Sequence, residues 1–282
     1  MNMAVALLAC ALTAPGLAQS PSQRTVHVFV ALADNVNQGI VPVPPKLGKG
    51  DDPEHNLYWG AAAGVKTFFA RSTDWQLISQ RQRPKPEVLE RCIFKHRTAN
   101  VYLVADAYQG NRIQQAITDF LSAAAGDHAE EVRVRPGTRT PQAHGPPLSV
   151  AAGPANDKEL GTPVSVPAGG AANLVAYIGH DGFMDFQLPS LPRQKNTARR
   201  EAIVLACISK TYFAEAVRAS GAHPLLWTTG LMAPEAYTLK DALDGWVAGE
   251  NDEQIRERAA RAYDRYQKCG IKGARRLFAS GW

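Results

Sequence analysis

The stretches NLVAYIGHDGFMDF (residues 173–186) and EAIVLACISKTYF (residues 201–213) give the clearest indication of how this chain folds. Each begins with a short apolar run, and the runs lead to His180 and Cys207 respectively. Continuous apolar runs of this length are typical of strands that are buried on both faces of a parallel sheet. Because the carboxyl ends of adjacent parallel strands open into one crevice, we expect His180 and Cys207 to lie close together there.

The sequence on either side of these stretches predicts further strands that are separated by helices. The predicted strands are 25–33, 75–79, 100–105 and 223–228, and the predicted helices are 57–72, 112–125, 211–219, 233–245 and 252–268, with a helical turn at 87–91. This alternation predicts an α/β fold, a three-layer sandwich in which a mainly parallel sheet carries helices on both faces.

One region interrupts the alternation. Residues 126–170 are rich in Pro, Gly, Ala and Ser, and their apolar runs are short. We interpret them as a long loop excursion, with room for a hairpin, from a single domain that covers residues 25–282. An exposed excursion of this kind is either a site of activating proteolysis or an inert loop.

The amino-terminal residues have the pattern of an export signal. Residues 1–17 are apolar and uncharged, and small residues favour cleavage between Ala18 and Gln19. The predicted signal peptide, residues 1–18, is too short to span a membrane, and no later segment is long and apolar enough. We therefore expect a bacterial protein that is exported to the periplasm or beyond and has no membrane span.

The composition is that of an ordinary globular protein. Of 282 residues, 45% are hydrophobic and 20% are charged, which is enough apolar sequence for one sizeable core. The formal net charge is +5, but the basic residues are mostly scattered. A concentration of them near the carboxyl terminus is better explained as a solvated helix face than as a nucleic-acid surface, since no nucleic-acid-binding motif accompanies it.

The cysteine count suggests a disulfide bridge. Removal of the signal peptide would leave Cys92, Cys207 and Cys269. An odd number in an oxidising compartment indicates one bridge and one free thiol. Because Cys207 ends a buried strand and the other two lie in polar segments, our hypothesis is that Cys92 pairs with Cys269. Three unpaired thiols are the alternative.

The residue types at the two strand ends suit nucleophilic catalysis. A thiol attacks as the thiolate, and an imidazole such as that of His180 can take its proton and later protonate the leaving group. Backbone N–H groups near Gly182 and Cys207 are candidates for stabilising an oxyanion. The alternative is a structural role, because buried cysteines and lone histidines are common in cores. The adjacent pair His180 and Asp181 would face opposite sides of a strand, so we predict neither a metal nor a cofactor.

The motifs resemble those of a known family. YIGHDG at 177–182, followed by VLAC at 204–207, resembles the caspase–gingipain–legumain group of cysteine peptidases and the bacterial caspase-like domains related to separase. ASGAHPLLW at 219–227 is similar to the helix, turn and apolar strand that follow in the bacterial domains. The resemblance implies a caspase-like fold and a cysteine endopeptidase that acts on peptides or proteins without a cofactor. Cys207 would be the nucleophile, and His180 the general base and acid.

The resemblance also implies a substrate pocket beside the carboxyl edge of the sheet. Five side chains are candidates for it: Asp34, Asp106, Trp227, Thr228 and Thr229. The two carboxylates would attract a basic side chain of the substrate. Each candidate has a structural alternative: Asp34 and Asp106 are also placed to be strand-end caps or ion-pair partners, and Trp227 to pack in the core.

Two other functions stay open. Asp181 separates His180 from Gly182, and Leu205 precedes Ala206 and Cys207, both in departure from the usual motif of the group. These departures favour a non-catalytic caspase-like binding module that uses the same crevice. A third possibility is a hydrolase of a non-peptide acyl substrate, because a fold does not determine a reaction.

Overall fold

The computed structural model of the protein describes residues 22–135 and 162–282. The predicted signal peptide, residues 1–18, and the middle of the predicted excursion lie outside these ranges. In the described ranges, no helix combines the length and the apolar character needed to cross a bilayer.

Ten strands and seven helices occupy the described ranges. The strands are β1 (Arg24–Ala31), β2 (Trp75–Lys85), β3 (Val88–His96), β4 (Val101–Tyr108), β5 (Glu130–Val134), β6 (Val164–Ala168), β7 (Leu174–Ile178), β8 (Glu201–Leu205), β9 (His223–Thr228) and β10 (Phe278–Ala279). The helices are α1 (Val65–Arg71), α2 (Ile113–Ala124), α3 (Ser209–Tyr212), α4 (Ala214–Ser220), α5 (Ala236–Ala248), α6 (Asp252–Gln267) and α7 (Ile271–Leu277).

Eight of the strands form one sheet, in the order β10-β9-β8-β7-β1-β4-β3-β2. The pairings between β9, β8, β7, β1 and β4 are parallel, and the pairings at both ends of the sheet are antiparallel. The predicted α/β class with a mostly parallel sheet is therefore confirmed. The central strands are buried along almost their whole length, which explains their continuous apolar sequences.

The side chains of β1 alternate between two apolar clusters on opposite faces of the sheet. Val26, Val28 and Val30 belong to the cluster that includes residues of α1, α5 and α6. Phe29 and Ala31 belong to the cluster that includes residues of α2 and α4. Helices thus cover both faces, and each fully buried Val or Phe contributes about 1.5–3 kcal/mol to folding.

The strand order reverses direction at β1. The chain passes from β1 to β4 on one side, through the β2–β3 hairpin, and later returns to β7 on the other side. In open α/β sheets the crevice for a ligand lies at the carboxyl ends of the strands beside such a reversal. The loops after β1, β4 and β7 meet at this point, with the loops after β8 and β9 next to them.

The predicted helical turn at 87–91 is wrong, because strand β3 begins at Val88 and includes four of these five residues. Glu90 and Arg91 are buried in this strand rather than exposed on a turn. The Glu90 carboxylate accepts hydrogen bonds from Trp59 Nε1 at 2.6 Å and from Lys66 Nζ at 3.1 Å. Buried charges are tolerated only with such partners, and these come from a distant part of the chain.

The predicted helix at 57–72 begins only at Val65. The chain before it is anchored to the end of β1, because the Asn56 side chain bonds both the N–H and the carbonyl of Ala33, at 3.0 and 2.8 Å. At Gly64 a Cβ atom would lie 2.4 Å from the backbone of Trp59. This tight turn needs a glycine and delays the start of the helix.

The ends of the predicted excursion form a hairpin. Strands β5 and β6 pair antiparallel, with Glu130 opposite Ala168 and Val134 opposite Val164. Val134 and Val166 pack in an apolar cluster with side chains of β3 and β4. The residues of the excursion that the structure describes are therefore attached to the main sheet.

Candidate active site

The register of the central strands brings His180 and Cys207 to the same edge of the sheet. Strands β7 and β8 are parallel neighbours, and their last paired residues are Ile178 and Leu205. His180 and Cys207 each lie two positions beyond this pair, and the Gly179 N–H donates to the Leu205 carbonyl at 3.3 Å between them. The predicted meeting of these strand ends is thus observed, next to the point where the strand order reverses.

A sharp turn follows Cys207 directly. Ile208 has φ 51° and ψ 29°, the left-handed region that β-branched residues rarely adopt. Such a conformation costs about 1–3 kcal/mol and persists only where the surroundings enforce it. Here the Ile208 N–H donates to the Gly230 carbonyl at 2.9 Å, and α3 begins at the next residue. Cys207 therefore lies on a strained strand-to-helix turn.

The Cys207 thiol is half-buried against the loop that follows β9. Its Sγ accepts from the Met232 N–H at 3.4 Å and donates to the Met232 carbonyl at 3.6 Å. Burial raises the pKa of Cys207; the Met232 N–H opposes this rise, and the charge of Asp181 adds to it. The resting site consequently holds a neutral thiol and not a preformed thiolate.

The His180 side chain is buried and is held by a carboxylate. Its Nε2 lies 2.7 Å from Asp185 Oδ2, and the His180 carbonyl accepts from the Tyr177 hydroxyl at 2.7 Å. Among the described residues, no hydrogen bond joins the imidazole to the Cys207 thiol. Transfer of a proton between the two therefore requires a rearrangement or a bridging group.

Asp181 is a buried carboxyl group with one unsatisfied oxygen. Its Oδ1 accepts from the Phe183 N–H at 3.0 Å, whereas Oδ2 has no partner. Burial raises the pKa of Asp181 to about 7. The hydrogen bond from the Phe183 N–H partly offsets this rise, and the charge of Asp185 adds to it. Within residues 22–135 and 162–282, no group of three or more His, Cys, Asp or Glu side chains could hold a metal ion.

Gly182 serves packing beneath this turn. A Cβ atom there would lie 2.6 Å from Phe186 Cε1 and 2.9 Å from Ile117 Cδ1. The lack of a side chain is thus required by the core and does not by itself indicate an approach path for a substrate. The predicted oxyanion role of the N–H groups near Gly182 and Cys207 stays a prediction.

Asp34 lines a cavity of about 440 Å³ at the carboxyl ends of β1 and β4. Its Oδ1 accepts from the N–H groups of Val36 and Asn37 at 3.0 and 3.1 Å, and its Oδ2 accepts from Asn37 Nδ2 at 2.8 Å. Both oxygens therefore shape the loop. Asp34 therefore acts as a strand-end cap, the alternative to a pocket carboxylate in the sequence analysis, although it also borders a cavity.

Asp106 is a buried ion-pair partner and not the wall of a pocket. It lies within β4, where Arg91 Nε and Nη2 donate to its two oxygens at 2.6 and 2.7 Å and His27 Nε2 lies at 3.2 Å. Burial opposes ionisation, but the hydrogen bonds from Arg91 and His27 hold the pKa of Asp106 well below its usual range. The prediction of a pocket carboxylate at this position is corrected accordingly.

The three candidates around the end of β9 have structural roles. Thr228 is buried; its hydroxyl donates to the Ala206 carbonyl and accepts from the Ser209 N–H at 3.2 Å, which braces the turn after Cys207. Trp227 packs in the core, with its ring centroid 5.4 Å from that of Trp282. The Thr229 hydroxyl donates to the Arg276 carbonyl at 2.7 Å. Each of the three thus has a structural contact, and the predicted role in a pocket stays a prediction.

The predicted bridge between Cys92 and Cys269 is wrong. Cys92 is buried inside β3, whereas Cys269 is exposed just after α6, and both are free, as is Cys207. The sequence around Cys92 looked peripheral because polar residues surround it, but their charges are paired inside the fold. The alternative of three unpaired thiols describes these residues.

Three neighbours of the pair were not identified from the sequence. Asp185 stands in the quoted stretch, five residues after His180, and the turn between them was the available signal. Tyr58 comes from the loop after β1; burial raises its pKa and the charge of Cys207 adds to the rise, which indicates proximity. Met232 acts through its backbone, which leaves no signal in the sequence.

Comparison of the chain with protein-family models, curated proteins and solved structures finds no match.

Proposed function

We propose that this protein is a thiol-dependent hydrolase of the caspase-like type, an exported endopeptidase with Cys207 as nucleophile and His180 as general base and acid. The observation that carries the proposal is the register of β7 and β8, which puts both side chains at one edge of the sheet. The mixed sheet, with helices on both faces and its reversal of strand order beside the pair, agrees with the fold that the sequence motifs imply.

The reaction would begin from the neutral thiol. His180 accepts the Cys207 proton as the sulfur attacks the substrate carbonyl, and it then donates that proton to the leaving amine. Water, deprotonated by His180, then attacks the acyl-enzyme; the thioester bond breaks, the acid is released, and His180 returns the proton to the departing Cys207 sulfur. The Met232 N–H already points at the sulfur, and it would stabilise the negative charge while the thiolate forms.

The contacts of the two candidate carboxylates argue against selection of a basic side chain. Asp34 bonds its own loop with both oxygens, and Asp106 is buried against Arg91. Neither charge is available to a substrate without loss of these contacts. We therefore propose a peptide or protein substrate and assign no preference for charge.

A non-catalytic binding module is the second candidate. It is favoured by the raised pKa of Cys207, the engagement of its thiol with Met232, and the missing hydrogen bond to His180 in the described structure. The same crevice, with its long loop after β1, would then hold a peptide without cleaving it.

A cleavage assay decides between the two candidates. The mature protein is incubated with a peptide library, and products are read by mass spectrometry for the wild type, Cys207→Ala, His180→Ala and, as a matched thiol control, Cys269→Ala. The hydrolase proposal expects cleavage by the wild type and by Cys269→Ala only. Cleavage by Cys207→Ala would refute the assignment of the nucleophile. Binding without cleavage by a folded wild-type protein would establish the module instead.

A further inference from the structure

The contact between His180 and Asp185 determines which ring nitrogen carries the proton. Nε2 of His180 lies 2.7 Å from Asp185 Oδ2, a distance typical of a charge-assisted hydrogen bond. An ionised carboxylate only accepts, so Nε2 must be the protonated nitrogen of a neutral ring. Nδ1 then carries the lone pair, and in the described ranges it has no hydrogen-bond partner.

A second donor holds the same carboxylate. The Gly39 N–H, in the loop after β1, donates to Asp185 Oδ2 at 3.2 Å. A Cβ atom at Gly39 would lie 2.7 Å from Asp185 Oδ1, so this loop fits closely around the carboxylate. Although Asp185 is partly exposed, its oxygen is thus fixed between an imidazole and a backbone amide.

The turn that carries Asp185 is itself rigidly placed. Asp181 caps the short turn Gly182–Met184 through the Phe183 N–H, and the turn returns the chain so that Asp185 reaches His180. The Phe183 ring packs edge-on against Phe213, with centroids 4.7 Å apart. Phe213 follows the helix that begins after Cys207, so the packing joins the histidine turn to the cysteine turn.

We propose that Asp185 is a positioning residue that holds His180 in the tautomer with the proton on Nε2 and leaves Nδ1 as the proton acceptor for Cys207. The tautomer follows from the contact alone, whereas the use of Nδ1 as a base rests on the proposed function. Carboxylates that orient a metal-binding histidine through its other ring nitrogen are typically worth about ten- to a hundredfold in activity, and we expect an effect of that size for Asp185.

The tautomer is measurable without any substrate. Side-chain ¹⁵N shifts of the histidines distinguish the two neutral tautomers, and a His180→Gln variant assigns the signal. We expect the Nε2–H form of His180 in the wild type. We also expect it in Asp185→Asn, whose amide oxygen can replace Oδ2, and a mixture of tautomers in Asp185→Ala. Gly39→Ala should displace the Asp185 carboxylate without removing it, and should therefore give the same mixture of tautomers as Asp185→Ala. It keeps the proposal testable if Asp185→Ala does not fold.

A matched control is present in the same molecule. His223 Nε2 lies 2.6 Å from Asp252 Oδ2, far along the chain; the two carboxylates are similarly exposed, whereas His223 is more exposed than His180. Asp252→Ala should change the tautomer of His223 and leave that of His180 unchanged. An unchanged His180 tautomer in both Asp185→Ala and Gly39→Ala would overturn the proposal.

The rate of Cys207 alkylation tests the positioning role of Asp185 separately from the role of His180 as a base. If His180 is the base, iodoacetamide should label Cys207 roughly ten- to a hundredfold more slowly in Asp185→Ala, with recovery in Asp185→Asn. Labelling that depends on His180 but not on Asp185 would overturn the positioning role of Asp185 and remain in agreement with the proposed hydrolase function. A changed tautomer with labelling that ignores His180 would support the assigned tautomer and contradict the proposed function.

Discussion

The carboxyl group of Asp181 is the most perturbed acid near the candidate site. Burial leaves Oδ2 without a partner and raises the pKa to about 7 from 3.8. The folded protein therefore keeps this proton over a range of pH in which the unfolded chain has lost it. When the native state binds more protons than the unfolded state, the free energy of unfolding falls as the pH rises.

For Asp181→Asn we expect a flatter dependence of stability on pH than in the wild type. The free energy of unfolding of the wild type should fall, relative to the variant, by up to about 4 kcal/mol between pH 4 and pH 7 and then stay level. Urea unfolding at several pH values measures the difference. Parallel pH profiles for the two proteins would show that Asp181 does not hold its proton.

Thr228 illustrates how a single hydroxyl can support the turn after the nucleophile. The Thr228 hydroxyl donates to the Ala206 carbonyl and accepts from the Ser209 N–H, and both of these groups are buried. Thr228→Val keeps the shape of the side chain but leaves these groups without a partner, which should cost about 1–3 kcal/mol of stability. Thr229→Val is the matched control, because Thr229 is exposed. Equal midpoints of urea unfolding for the two variants would contradict the argument.

At the scale of elements, strands β3, β4 and β5 are joined by buried charges. Arg91 of β3 donates two hydrogen bonds to Asp106 of β4 and two more, at 2.5 and 3.2 Å, to Glu130 of β5. Although burial opposes its charge, the hydrogen bonds that Arg91 donates to these carboxylates raise the pKa of Arg91 above its usual value. The arginine thus fastens the β5–β6 hairpin to the main sheet.

Removal of this arginine should be strongly destabilising. Arg91→Leu leaves the Asp106 carboxylate buried without its main partner, and breaking a buried pair in this way costs about 3–5 kcal/mol. The double variant Arg91→Leu with Asp106→Asn should recover part of the loss, because it removes the uncompensated charge. Chemical denaturation of both variants measures this, and a double variant no more stable than the single one would contradict it.

At the scale of the whole molecule, the three described thiols differ in burial. Cys269 is exposed, Cys207 is half-buried and Cys92 is fully buried in the core. With iodoacetamide at neutral pH we expect Cys269 to be labelled first, Cys207 more slowly, and Cys92 only after denaturation. Peptide mass spectrometry gives the order, and reductant should change neither the order nor the intact mass. A linked Cys92–Cys269 peptide without reductant would reinstate the bridge.

Much of the α/β architecture was predictable from local sequence, and so was the position of His180 and Cys207 just beyond the ends of neighbouring strands. The central strands are buried on both faces, so their apolar runs mark them, and β9 was predicted with its observed bounds. Polar residues caused the errors. Those of β3 resembled a surface turn, and α7 and β10 were not predicted because the segment that contains α7 is strongly basic. Their partners lie elsewhere in the chain, where local periodicity gives no information.

The α/β class, and the positions of His180 and Cys207 beyond the ends of two neighbouring strands, follow from local sequence, because apolar runs and strand ends are local properties. The folded structure was needed to show that Asp185 contacts His180, that Met232 contacts the Cys207 thiol, and that Asp106 is an internal ion-pair partner. Hydrogen bonds and ion pairs form between whichever groups the packing of distant segments brings within about 3 Å, and local sequence does not specify those groups.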